Sequence, residues 1–241
     1  MSLLKRPIDF DILLSLVHKE RRMLKMKENL TELIFILDRS GSMAGLEADT
    51  IGGYNSMLKK QQNADGEAIV TTVLFNHDYE LLHDRINVRG ISPITDKEYE
   101  VGGTTALLDA IGFTIQKIVN VQKRTNDAER AKKVLFVITT DGMENASREF
   151  TAEKVKGMVE HQKQNFGWEF IFLGANIDAV TTAAHFGIDE DFAVNYHADN
   201  IGTQLNYEAV NEVVMKFRSG KKIDRSWKED IEQDFNKRSG K

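Results

Sequence analysis

Cysteine is absent from the 241-residue chain, and proline occurs only twice. The first absence excludes a disulfide scaffold, thiolate metal sites and a cysteine nucleophile, and it fits a reducing compartment. The second, together with the lack of any Ser-rich, Gln-rich or Pro-rich tract, argues against long disordered linkers. No apolar run approaches the roughly 18 residues that a membrane span requires, and the N-terminus shows no signal-peptide pattern, so the expected location is the cytoplasm. What is present is ordinary for a globular protein: 41% hydrophobic and 29% charged residues, enough to build a sizeable core. At roughly 150 residues per domain, this length suits one α/β domain with extensions.

Charge is spread unevenly along the chain. Residues 1–32 carry seven basic and five acidic side chains, and residues 216–241 carry nine and five. The centre is left with 16 basic against 27 acidic, a balance of −11. A nucleic-acid binder concentrates basic residues on its main domain, and this chain does the reverse. An acidic centre is either solvated surface or a collector of cations and basic partners.

Short continuous apolar runs at 33–37, 68–75, 134–139 and 169–173, with a weaker one at 192–195, read as strands buried on both faces. Helix-period stretches lie between them at 46–62, 106–121, 151–165, 177–186 and 201–217. This alternation predicts right-handed crossovers and a mainly parallel sheet. Asn76-His77-Asp78 leaves no room for a helix before the strand-like run 79–88, so those two runs form a hairpin with one antiparallel edge strand. The expected fold is a Rossmann-like three-layer α/β sandwich spanning 33–217. An N-terminal helical extension (1–32) precedes it and a C-terminal helical tail (218–241) follows. Ile8, Ile12, Leu13, Leu16 and Val17 form one apolar stripe and Ile223, Trp227, Ile231 and Phe235 another, each expected to dock on the protein's own domain.

In an open parallel sheet, ligands bind beyond the carboxyl ends of the strands, where strand order reverses. The first strand runs into Asp38-Arg39-Ser40-Gly41-Ser42 and the fourth into Thr140-Asp141-Gly142. Just before a helix comes Gly102-Gly103-Thr104-Thr105. Asp38, Ser40 and Ser42, spaced by two, can aim their oxygens at one point, Thr104 adds a hydroxyl, and Asp141 closes the ring. Thr105 is the alternative to Thr104. Five oxygen ligands without nitrogen or sulfur suit Mg²⁺ or Mn²⁺ more than Zn²⁺. Two carboxylates only just neutralise a divalent ion, so the natural sixth ligand is a carboxylate from another molecule.

These residues resemble the metal-ion-dependent adhesion site of von Willebrand factor A domains, through Asp38-x-Ser40-x-Ser42, Thr104, Asp141, the Gly-Gly-Thr loop and Ile138-Thr139-Thr140-Asp141-Gly142. The resemblance covers about residues 33–217. It implies a Rossmann-like sandwich that binds protein partners through a partner Asp or Glu capping the metal. More narrowly, the chain is similar to stand-alone intracellular bacterial members of that family.

Other residues have plainer readings. Glu144 and Asn145 are expected to decorate the surface, the alternative being that they line the rim of the site or reach the metal through water. Asp109 is expected to offset a helix dipole, Gly52-Gly53 to allow close helix-to-sheet packing, Met43 to pack under the metal loop, and Arg39 to face solvent, where it could pair with an acidic partner. The six histidines show no zinc spacing. The rival function is a Mg²⁺- or Mn²⁺-dependent, phosphatase-like hydrolase using the same site. Against it, position 40 is Ser where haloacid dehalogenase-type phosphatases carry a second Asp, and no GxSxG elbow is present.

Overall fold

A computed structural model describes residues 30–240 of the chain. The N-terminal stripe, from Ile8 to Val17, lies outside the described residues. Strand β1 (Thr31–Asp38) is buried along all eight residues. Such burial is possible only because helices cover both faces of the sheet, and it explains why the sequence reads as an unbroken apolar run rather than an alternation. The remaining elements follow in order: α1 (Glu47–Gln62), β2 (Ala68–Phe75), β3 (Tyr79–Asn87), α2 (Leu107–Arg124), β4 (Lys133–Thr140), α3 (Ala152–Phe166), β5 (Glu169–Ala175), α4 (Ala179–His185), β6 (Ala193–Tyr196), α5 (Asn200–Arg218) and α6 (Glu229–Arg238).

The sheet has six strands in the order β3-β2-β1-β4-β5-β6. β1 pairs in parallel with both β2 and β4, and β3 is the single antiparallel strand. Strand order therefore reverses between β1 and β4, which opens a crevice at their carboxyl ends. Side chains alternate across the sheet. Leu33, Phe35 and Leu37 of β1 join Tyr54, Val213 and Val214 in one core, and Ile34 and Ile36 join Ile111, Ile115 and Val155 in the other. The architecture is the expected three-layer α/β sandwich, mostly parallel with one antiparallel edge strand. Among the described residues no helix is long and apolar enough to cross a membrane.

Local chemistry sets the helix ends. The Asp178 carboxylate accepts from the Thr181 N–H at 3.0 Å, so α4 starts at Ala179 rather than at Ile177 as its apolar spacing suggests. Helix α3 ends at Gly167, whose φ of 64° suits a residue without a Cβ. The C-terminal stripe packs at home. Trp227 and Ile231 are buried in the first core, the Trp227 indole donates to the Asp191 carbonyl at 2.9 Å, and Phe235 stacks on His197 at 4.7 Å.

The glycine pair in α1 serves a different contact from the one expected. A Cβ on Gly53 would stand 2.2 Å from the Tyr207 ring, whereas one on Gly52 meets nothing within 4 Å. Gly53 thus lets α5 approach α1, a helix-to-helix contact, because Tyr207 inserts its ring at that turn. We expect Gly53→Ala to destabilise the protein by about 1–3 kcal/mol through overpacking. Gly52→Ala should stabilise it by about 0.5–1 kcal/mol through helix propensity. Urea denaturation of the two variants measures both.

Candidate metal centre

Because β1 and β4 are neighbours in parallel register, Asp38 and Asp141 leave the sheet side by side. The Asp141 N–H approaches Asp38 Oδ2 at 3.3 Å. Both residues are 1% exposed. Asp38 Oδ1 accepts from the Ser40 N–H at 2.7 Å, and Oδ2 accepts from the Thr140 hydroxyl at 2.6 Å. Three of roughly four acceptor positions on Asp38 are therefore occupied, and the carboxylate is locked in orientation. Asp141 accepts from the Asn176 side-chain amide at the end of β5. Asn176 sits at φ 55°, a conformation that Asn tolerates better than most residues.

The loops that follow the strands are tied to one another by backbone hydrogen bonds. Gly41 N–H donates to the Gly103 carbonyl at 3.0 Å and Gly102 N–H to the Arg39 carbonyl at 2.9 Å, which joins the Ser-Gly-Ser turn to the Gly-Gly-Thr loop. Asn145 N–H donates to the Thr105 carbonyl at 3.0 Å, and its side-chain oxygen accepts from the Thr105 N–H at 2.9 Å, which joins that loop to the one after β4. Asn76, at the hairpin between β2 and β3, donates to the Gly102 carbonyl at 2.8 Å. The Tyr99 hydroxyl donates to the Asp38 carbonyl from below.

The hydroxyls fall around this frame. Ser40 is buried and its Oγ lies 3.1 Å from that of the exposed Ser42. A Cβ placed on Gly142 would be 3.1 Å from Ser42 Oγ and 3.6 Å from Thr105 Oγ1, so both hydroxyls face the glycine after Asp141. Thr105 is 3% exposed, whereas Thr104 stands exposed on the lip of the same loop.

Several neighbours differ from their sequence reading. Arg39 does not face solvent: its guanidinium pairs with Glu80 at 2.7 Å because the β3 edge comes alongside the loop. Glu144 and Asn145 are not decoration. The Glu144 carboxylate accepts from the N–H groups of Leu108, Ala146 and Ser147, which pins the loop after β4 to the start of α2. Asp109 is structural as expected, but it acts by accepting from the N–H groups of Arg148, Glu149 and Phe150. Met43 is buried in the first core beneath its loop. Thr140, Asn176 and Tyr99 are not singled out by the sequence. Of these, only Thr140 and Asn176 carry a hint, being polar residues at strand ends on the reversal edge.

Two buried carboxylates here make no ion pair with Lys or Arg among the described residues. Burial pushes the Asp141 carboxyl up to about 6, an effect that the Asn176 hydrogen bond opposes and the negative Asp38 reinforces. Tyr196, buried nearby, is raised well above the ordinary phenol range by burial and by Asp141. Among the described residues no group of three or more His, Cys, Asp or Glu side chains is arranged to hold a metal. A cation here would therefore rely on two carboxylates supplemented by hydroxyls. That donor set fits a hard divalent ion: it supplies oxygen only, and the excess negative charge is buried without a counter-ion.

No protein-family model matches the sequence, and no curated protein does. Solved structures match it by shape. A mutant of the PilB minor pilin from Streptococcus sanguinis gives a TM-score of 0.55 at 12% identity, covering 77% of this chain and 61% of that one. Proximal thread matrix protein 1 from the mussel byssus, in a structure with a zinc-occupied MIDAS motif, gives 0.55 at 11% identity over 77% of this chain and 48% of that one. A von Willebrand factor type A protein from Catenulispora acidiphila gives 0.53 at 13% over 78% and 42%. The fold is of the von Willebrand factor A type. The chain spans from about two-fifths to three-fifths of the length of these proteins, and at such identities the likeness concerns the fold alone.

The raised Asp141 carboxyl has a measurable signature. Its folded value lies above the unfolded one, so its contribution to stability is present below about pH 4 and is lost as pH rises through about 6. In the metal-free protein, Asp141→Asn should remove this decline and raise the urea midpoint at pH 7. A divalent cation held by Asp141 would compete with the same proton, so its affinity should rise between pH 5 and pH 7 in the wild type, as calorimetry at the two values would record.

Proposed function

We propose that the protein is a metal-dependent protein–protein interaction module whose Mg²⁺ or Mn²⁺ site is completed by an Asp or Glu carboxylate of the partner. The observation that carries this reading is the pair of buried carboxylates that make no ion pair with Lys or Arg among the described residues, set under a rim of hydroxyls at the reversal point of the sheet. Asp38, Ser40, Ser42 and Asp141 hold the ion, directly or through water, with one threonine of the Gly-Gly-Thr loop. The sequence favours Thr104 for that place. The burial of Thr105 and its approach to Gly142 support Thr105 instead.

When bound, the ion supplies an electrophilic centre that a partner's carboxylate can neutralise. The chain's residues orient and limit it. The Ser40 N–H, the Thr140 hydroxyl and the Asp141 N–H fix the Asp38 carboxylate in one rotamer, so a cation meets a preformed acceptor. Asn176 holds Asp141 in the same way. Two carboxylates and three hydroxyls would leave one position of an octahedral ion open, and a partner carboxylate filling it would make partner binding dependent on the metal. A cysteine-free chain suits the reducing cytoplasm as the place of this encounter.

The hydrolase reading gains nothing from the site. Arg39, the basic side chain within the first loop, is engaged by Glu80, and position 40 offers a hydroxyl rather than a second carboxylate.

By calorimetry, Asp38→Ala should weaken Mg²⁺ binding at least tenfold, about 1.4 kcal/mol. Thr105→Val should weaken it severalfold and Thr104→Val should leave it nearly unchanged. In a pull-down, partner capture should occur in Mg²⁺ and vanish in chelator or in Asp38→Ala. Unchanged Mg²⁺ affinity in Asp38→Ala would overturn the reading. So would Mg²⁺-dependent turnover of phosphatase substrates that Asp38→Asn abolishes.

A further inference from the structure

Between helices α2 and α3 a groove runs from the amino ends of β4 and β5, the end of the sheet away from the metal centre, up towards the first turns of α3. Two contiguous hollows of about 660 and 810 Å³ share Val119, Lys123, His161 and Gln162. Phe166 and Trp168 form the lower floor and Met158 the upper one. Phe166 is 57% exposed, a large aromatic left in water where α3 ends. Gly157 lines the upper hollow, and a Cβ there would meet nothing within 4 Å, so the space above it is open. Lys123 and Lys132 stand at the groove and make no ion pair with another described residue, whereas Arg130 is paired with Asp127 at 2.8 Å. The groove is therefore apolar along its floor and positive at its lower rim.

We propose that this groove is the dock of the chain's own N-terminal segment, residues 8–17. Three observations converge on that occupant. The first is position: the described chain enters the sheet at β1, and Thr31 is the register partner of Lys133, the residue after Lys132 on the groove's rim. The second is reach. The groove follows α2 from Lys123 to Ile115, about 12 Å at the helical rise, and a ten-residue helix is about 15 Å long. The fourteen residues from Val17 to Thr31 span about 20 Å even if wholly helical, enough to bring the stripe to the groove. The third is chemistry. Ile8, Ile12, Leu13, Leu16 and Val17 recur at helical spacing, and between residues 7 and 18 the charged side chains are Asp9 and Asp11, with no Lys or Arg. An apolar, acidic segment complements an apolar floor with a lysine rim.

The absence of cysteine makes the test clean, because an engineered pair supplies the only thiols. In the full chain, Leu13→Cys is combined with Phe166→Cys. The control combines it with Ile201→Cys, a residue of similar exposure, 54%, at the start of α5. Under mild oxidant at low protein concentration, the groove pair should form an intramolecular disulfide at least about tenfold faster than the control, because docking raises the effective thiol concentration. Adding Asp9→Lys and Asp11→Lys should slow the groove pair severalfold. Equal rates for the two pairs would overturn the assignment, as would a rate unmoved by the charge reversals. Predominant disulfide-linked dimers would also overturn it, since they would make a second copy of the chain the occupant.

Discussion

The upper edge of this molecule is organised around a repulsion. Asp38 and Asp141 stand on adjacent strand ends, both buried, close enough that the backbone N–H of one touches the carboxylate of the other. Two negative charges in that setting are unfavourable unless protonated, hydrogen-bonded or matched by a cation. The chain supplies hydrogen bonds, from Ser40, Thr140 and Asn176, but among the described residues it supplies no positive side chain. The surrounding loops are laced together so that this unfavourable pair cannot relax by moving apart. The Asp38 carbonyl is held by Tyr99, and the three loops share backbone hydrogen bonds through Gly41, Gly102 and Asn145. Such a frame stores the electrostatic demand that a divalent ion would satisfy.

Rigidity at the edge comes from the second tier of carboxylates. Glu144 and Asp109 together accept from six backbone N–H groups, which fastens the loop after β4 to the first turn of α2. A loop of this length without such anchors would sample many conformations, and Gly142 could not stay close to both the Ser42 and the Thr105 hydroxyls. Below the edge, the two cores grip the sheet from both sides, so the strand ends that present Asp38 and Asp141 are fixed relative to each other by the full length of the β1–β4 ladder.

Much of this was legible in the chain. The apolar runs ending in Asp38 and Thr139 mark buried parallel strands because only a doubly covered sheet tolerates them, and the rule that ligands gather where strand order reverses then points to the loops in which the structure buries Asp38 and Asp141 side by side. The packing partners were not legible. The Gly52-Gly53 pair signals close approach to something, but which helix or sheet comes near depends on α5 placing Tyr207 there. Arg39 looks solvent-facing in a loop of small residues until the antiparallel β3 brings Glu80 alongside. Glu144 and Asn145 resemble any polar surface pair, because the N–H groups through which they tie their loop to the start of α2, those of Leu108 and Thr105, lie some forty positions away.

The sequence by itself determined the layer order, the two carboxylates at the strand ends, the hydroxyl-bearing loops beside them and the apolar stripe of the tail, since each depends on local periodicity or residue type. Tertiary structure alone decided which threonine turns inward, how the loops lock together and what Asn176 and Tyr99 touch. Those outcomes rest on contacts between segments far apart in the chain, and periodicity and residue type within one segment carry no record of which distant segment will be folded against it.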